Sequence, residues 1–394
     1  MSHIANAMDD ALASPSEAST RLLGAQGCFA GKWVLAVGSS PLRILYSALV
    51  ERLMGPEVQA PPACMPTWRF LHAGPCMTHG ASRFPHQCIV DVIDQRAQWR
   101  LTFVWSFGLL NNATAHALDL LLRTAAGRTP DILIVEAGAW SWGRNVQRRS
   151  AQSAEFLDSL LARLPAITVG SSLARQQLHR SLCIWVGTPW GRYEDGVIDA
   201  GGSVAGRPRS TLAVPAYNEA MRPRVVERRC LMLDAYRVCE RLAANRSLHD
   251  ARCPTLAGQL PTSGNGHRRR CCASSMCTGK CFSAEERWGP FACYFPRPCE
   301  AYHAFGEAAQ HVLGALASAV CTDNEAKGRG AGSLHGIGQR SSLADTTEYT
   351  TEELAPLRAA HAALHGGLVS AGWHPGKLCF WHVAEQGSMG ERQE

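Results

Sequence analysis

Five short apolar runs punctuate the chain: WVLAV (33–37), LTFV (101–104), DILIVE (131–136), LCIWV (182–186) and CLML (230–233). Each has the length of a buried strand and stops at glycine, proline or polar residues. Segments of helical periodicity lie between them. Leu42, Leu45, Leu49 and Leu53 recur at helical spacing and predict a helix over Pro41–Leu53. Ala115–Thr124 is a second helix, closed by Gly127 and Pro130; Ala151–Leu164 is a third, stopped by Pro165; Asn218–Glu227 is a polar fourth. Strands alternating with helices predict a parallel sheet covered by helices. Strands that are apolar throughout fit, because both faces of such a sheet are buried. The expected fold class is therefore α/β, a three-layer α/β/α arrangement around a central, mostly parallel sheet, with no internal repeat.

The pattern breaks over about 254–295, which reads as a cysteine-rich insertion without useful periodicity. A helical stripe returns over Phe305–Val320, with Phe305, Ala309, Val312, Leu313, Leu316 and Val320 along one side. Residues 322–346 are rich in glycine and serine and read as a linker. Thr350–His365 predicts one more helix despite Pro356, and LCFWHV (378–383) an added strand. The expected organisation is a disordered lead over 1–27, a core domain over 28–320, a flexible linker over 321–349, and a C-terminal helix and tail over 350–394.

Of the 394 residues 46% are apolar and 18% charged, a globular composition. The net charge of +6 is too mild to imply nucleic acid, and the run His267–Arg270 reads as a solvated loop. No stretch reaches the 18 or so apolar residues of a membrane span, and the first twenty residues lack the basic start and apolar run of a signal peptide. Sixteen cysteines are many for a reducing compartment, and eight of them fall between Cys253 and Cys321. With the sequons at Asn112 and Asn245, they favour the secretory pathway or Golgi lumen. Cys271, Cys272, Cys277 and Cys281, near His267, are a weak zinc alternative, since their spacing lacks two separated C-x-x-C hooks.

Ligands of open parallel sheets bind beyond the carboxyl ends of the strands. VLAVGSSPLR (34–43) is such an end. Ser40 has two readings there: the N-cap of a helix that Pro41 begins, or a nucleophile beside the free N–H groups of a helix start. A nucleophilic serine needs a base, and the base an orienting acid. Glu300 and His303 stand three residues apart just before the Phe305–Val320 helix, as an acid and base on one turn would. Asp250, in Asp250-Ala-Arg-Cys253, and Asp234, at the end of CLML, are weaker sources of the carboxylate. Trp140 and Trp142 suit either a wall for apolar sugar faces or the core.

GKWVLAVGSSPLR resembles the first block of the SGNH/GDSL hydrolases, closest to the PC-esterase branch of trichome-birefringence-like and sialate-type O-acetyltransferases. Gly38, Ser40 and Arg43 match that block, and Ser39 stands where the branch has Asp. RLTFVW (100–105) and PDILIVEAGAW (130–140) resemble the branch's middle; Gly138 and Trp140 match, and Ala139 stands where it has His. Glu300-x-x-His303 resembles the closing Asp-x-x-His, with Glu for Asp. The resemblance spans roughly 28–320. It implies an acyl-enzyme on Ser40, with His303 as base and Glu300 as orienting acid. The Ser40 N–H, with Gly108 or Asn111, would form the oxyanion site, and Gly138, Trp140 and Arg43 would be further oxyanion or substrate residues. It implies no cofactor, and a carbohydrate or glycoconjugate substrate with an acyl donor. The alternatives are an inactive SGNH-like protein that binds glycans or a partner, and a zinc-dependent interaction module.

Overall fold

β1 (Trp33–Gly38) is buried along its whole length and lies inside a seven-stranded sheet. It pairs in parallel with β3 (Arg100–Trp105) on one side and β4 (Ile132–Val135) on the other. Beyond β4 come β5 (Leu182–Val186) and β6 (Leu231–Leu233), both parallel. Beyond β3 come β2 (Ile89–Ile93), antiparallel to β3, and β9 (Leu378–His382), parallel to β2. The order is β6-β5-β4-β1-β3-β2-β9, so the sheet is mostly parallel with a reversed pair at one edge. The computed structural model describes residues 26–54, 88–94, 99–108, 110–124, 129–137, 146–164, 181–189, 213–238, 299–300, 303–304, 306–330 and 351–382.

Successive side chains of a strand point to opposite faces, and β1 uses both. Val34 and Ala36 face one layer, with Leu45 and Leu49 of α2 (Ser40–Met54) and Val312 and Leu316 of α6 (Gly306–Gly330). Trp33, Leu35 and Val37 face the other. That second layer is built by Leu118 and Leu121 of α3 (Asn112–Thr124), Leu157 and Leu160 of α4 (Val146–Leu161), Met221 and Val225 of α5 (Ala213–Glu227), and Leu364 and Leu368 of α7 (Thr351–Ser370). This is the three-layer α/β/α fold. Each fully buried leucine of these layers contributes about 1.5–3 kcal/mol of transfer free energy.

The boundaries differ from the sequence expectation in informative places. α6 runs ten residues past Val320, through TDNEAKGRG, into the segment expected as linker. These residues lie beyond the helix's packed stripe, so they carry no apolar period to betray them. α7 and β9 are an integral layer and edge of the main sheet: α7 packs on α3, and β9 extends the β2 edge. β2 itself, with Asp91 at its centre, was not expected at all.

Two disulfides join pairs of described residues across the fold. Cys28, in the one-turn helix α1 (Gln26–Phe29), bonds Cys321 of α6, and Cys183 of β5 bonds Cys230 beside β6. Cys88 and Cys379 are likewise disulfide-bonded. Among the described residues no helix is long and apolar enough to cross a membrane, and no cluster of His, Cys, Asp and Glu could hold a metal. Cys271, Cys272, Cys277, Cys281, His267 and Asp250 lie outside the described residues.

Candidate active site at the carboxyl ends of β1, β3 and β4

The chain places β2 and β3 on one side of β1, then β4, β5 and β6 on the other. The strand order therefore reverses between β1 and β4. In doubly wound sheets this reversal opens a crevice outside the carboxyl ends, where ligands bind. Gly38, Ser39 and Ser40 leave β1 at that point, and Glu136 and Ala137 leave β4 beside them.

The three strand ends are knit together. The Ser106 N–H donates to the Gly38 carbonyl at 2.8 Å, joining the ends of β3 and β1. The Ser39 hydroxyl donates to Glu136 Oε2 at 2.7 Å, and the Ser39 N–H donates to the same oxygen at 3.2 Å. Both residues are fully buried. Gly38 allows the approach: a Cβ there would lie 2.8 Å from the Glu136 carbonyl oxygen and 2.9 Å from Leu42 Cδ2.

This geometry separates the two serines. The Arg43 N–H donates to the Ser39 carbonyl at 3.0 Å, the first bond of α2, so Ser39 holds the capping position. Ser40 is one residue further, the first helical residue. The expected contest at Ser40 between cap and nucleophile is thus shifted by one position, because the chain enters helical geometry before Pro41. Ser39 spends its hydroxyl and its N–H on Glu136, so neither is available to a ligand. Glu136 thus sets a buried carboxylate against the turn that follows β1. No sequence signal points to that pairing, which spans 97 residues.

The expected acid and base come together as a pair. Glu300 of β7 (Cys299–Glu300) is the register partner of His303 of β8 (His303–Ala304) in a two-stranded hairpin. β8 lies against α2, the helix that Ser40 opens, and against α6.

The remaining candidates sort by position. Gly108 lies in the loop after β3, at φ +82°, with its N–H donating to Ser106 Oγ at 3.3 Å. Asn111 is exposed, and its Oδ1 accepts the Thr114 N–H at 2.8 Å, making it the N-cap of α3. Arg43 is buried over the Trp105 ring. Asp234 is paired with Arg222 at 2.9 Å and Arg237 at 3.3 Å, as a turn carboxylate at a helix start would be. Gly138, Ala139, Trp140 and Trp142 lie outside the described residues. One rim residue was not foreseen: Thr188, after β5, is clamped through its backbone by Asn218 of α5, while its own hydroxyl is buried without a partner.

Gly108 lends itself to a direct test. A Cβ there would stand 2.7 Å from Ala137 Cβ, and the left-handed backbone adds strain of its own. Gly108→Ala is expected to lower the folding free energy by about 1–3 kcal/mol, read as a lower urea midpoint at unchanged slope. An unchanged midpoint would show that the β3 and β4 loops are not locked in this contact.

Comparison with known proteins returns no matching family model, no matching curated protein and no matching solved structure.

Proposed function

We propose that the chain is a serine esterase or O-acetyltransferase acting on carbohydrate O-acyl groups, with Ser40 as nucleophile, His303 as base and Glu300 as orienting acid. One observation carries the reading: a serine opens a helix at the β1/β4 reversal, and β8, whose His303 is the register partner of Glu300, lies against that same helix.

In this reading His303 takes the Ser40 hydroxyl proton as the oxygen attacks the acyl carbonyl. The tetrahedral intermediate expels the first sugar oxygen, which receives the proton from His303 as it leaves. The acyl-enzyme is then attacked by water or an acceptor hydroxyl, again deprotonated by His303, and Ser40 is regenerated. The Ser40 and Leu42 N–H groups precede the first helical bond of α2, which Arg43 makes, and suit a developing oxyanion. Asn111, committed to capping α3, is a weaker second donor than the Gly108 loop. The disulfides fit an oxidising compartment, such as the secretory pathway or Golgi lumen.

A fluorophosphonate probe is expected to label the folded chain on Ser40, located by peptide mass spectrometry. Ser40→Ala is expected to abolish labelling and to cut acetyl-ester turnover by about a thousandfold or more. Equal turnover in both proteins, or labelling elsewhere, overturns the assignment. A folded wild type without turnover that retains a glycan would favour the non-catalytic binding protein.

A further inference from the structure

In the triad chemistry Arg43 has no task, yet the fold keeps it at high cost. It sits in the first turn of α2 and is only 4% exposed. Its guanidinium carbon lies 5.1 Å above the Trp105 ring, and Trp105 is the register partner of Gly38 at the carboxyl end of β1. The charged fork therefore stands over the same rim as the serine turn. Its Nε and Nη1 are buried and find no acceptor. Burial lowers its pKa to about 10, with no carboxylate acting in the opposite sense.

Arg100 shows the contrast. Its Nε and Nη2 both donate to Asp91, so this fold does pair an interior arginine when the role is structural. Desolvating an unpaired cation is costly even after relaxation, and an aromatic face returns only part of that. A cation in the first turn of a helix also opposes the helix dipole. The arrangement lacks one component, an anion that accepts from the guanidinium fork.

We propose that Arg43 is an anion-binding residue of the cleft, and that the ligand it takes carries a carboxylate or phosphate group: an acidic sugar, or a phosphorylated acyl donor. The proposal rests on the esterase reading for the identity of the cleft, while the binding itself needs no reaction at Ser40. Each terminal N–H of the fork would donate to one oxyanion oxygen, and Trp105 would hold the guanidinium plane from beneath.

The test uses the full, disulfide-intact chain and three probes: D-glucuronate for the acidic sugar, inorganic phosphate for the donor, and uncharged D-glucose. Thermal melting and tryptophan fluorescence report binding. One of the two anions, and not glucose, is expected to raise the melting temperature saturably. Which anion does so distinguishes sugar from donor. Arg43→Met is expected to weaken that anion at least tenfold and, without ligand, to melt at or above wild type, since an unpaired buried charge is gone. Arg43→Lys, which keeps the charge and loses the fork, is expected to bind at intermediate strength, and carries the test if Arg43→Met does not fold. No response to either anion, an equal response in wild type and variant, or a lower melting point for unliganded Arg43→Met would overturn the proposal. Ser40→Ala is expected to bind the anion as wild type does. Lost anion binding with ester turnover intact therefore refutes the Arg43 site alone, and absent turnover with anion binding intact refutes the triad alone.

Discussion

Asp91→Asn is expected to destabilise the protein by about 3–5 kcal/mol, the cost of breaking a buried ion pair from one side. Asp91 is fully buried at the centre of β2. Its carboxylate accepts from Arg100 at 2.7 Å, from the Thr102 hydroxyl at 2.6 Å, and meets His361 Nε2 of α7 at 2.9 Å. Thr102 accepts in turn from the Trp33 indole N–H at 2.9 Å. Burial alone would push this carboxyl up, but the Arg100 charge and the hydrogen bond and charge of His361 outweigh it. The group is held well below the usual carboxylate range. An asparagine keeps the shape and loses the charge, leaving Arg100 in the interior without its counter-ion. Since the folded pKa lies below the unfolded value of about 3.9, the stabilisation is present above pH 4 and is lost as pH falls towards the folded value. Urea melts of wild type and variant should therefore differ most near pH 7 and converge as the pH drops below 4. A gap that stays constant down to pH 3 would show that shape, not charge, is what Asp91 supplies.

Removing the Cys28–Cys321 bond should have an effect of similar size. The bond closes 293 residues, and every strand of the sheet but β9 lies inside that loop. In the chain-entropy account a loop this long restricts the unfolded state by about 5 kcal/mol. The bond is supported locally, because the Asn324 amide donates to the Cys28 carbonyl at 2.8 Å. The double variant Cys28→Ser/Cys321→Ser is expected to melt roughly 10 °C or more below wild type. Cys183–Cys230, closing 47 residues between β5 and β6, should matter less. Equal melting points for the double variant and wild type would mean that α1 and α6 hold together without the bond.

What the sequence made legible was what short-range periodicity carries. The five apolar runs are strands and the leucine spacing after Gly38 is a helix, because those signals repeat within one element. Ser40, Glu300 and His303 were picked out because they sit at element ends with recognisable spacing. The rest depends on partners far away in the chain. IVDVI was not read as a strand, and Asp91 makes sense only beside Arg100 and with His361, 270 residues on. Ser39 was read only as the residue standing where the resembling block has Asp. It is instead the donor to a carboxylate on another strand. Arg43 looked like part of a motif, and only burial shows that it has no partner. Residues 322–330 looked like linker, since a polar helix end has no apolar stripe to announce it.

The parallel pairing of β9 with β2 sets an order of assembly. Every strand from β1 to β6 is made before residue 240, but the edge beside β2 stays open until residues 378–382 emerge. Through synthesis of the intervening stretch, β2 would present unpaired backbone groups, and the face of α3 that meets α7 would stay bare. In the finished fold Gly367 is where that gap closes, its Cα approaching Leu120 so tightly that a Cβ would stand 2.6 Å from Cδ2. The nascent chain is thus exposed to edge-to-edge association for over a hundred residues of translation. Residues 351–382 act as its own chaperone, sealing the edge only once they have emerged.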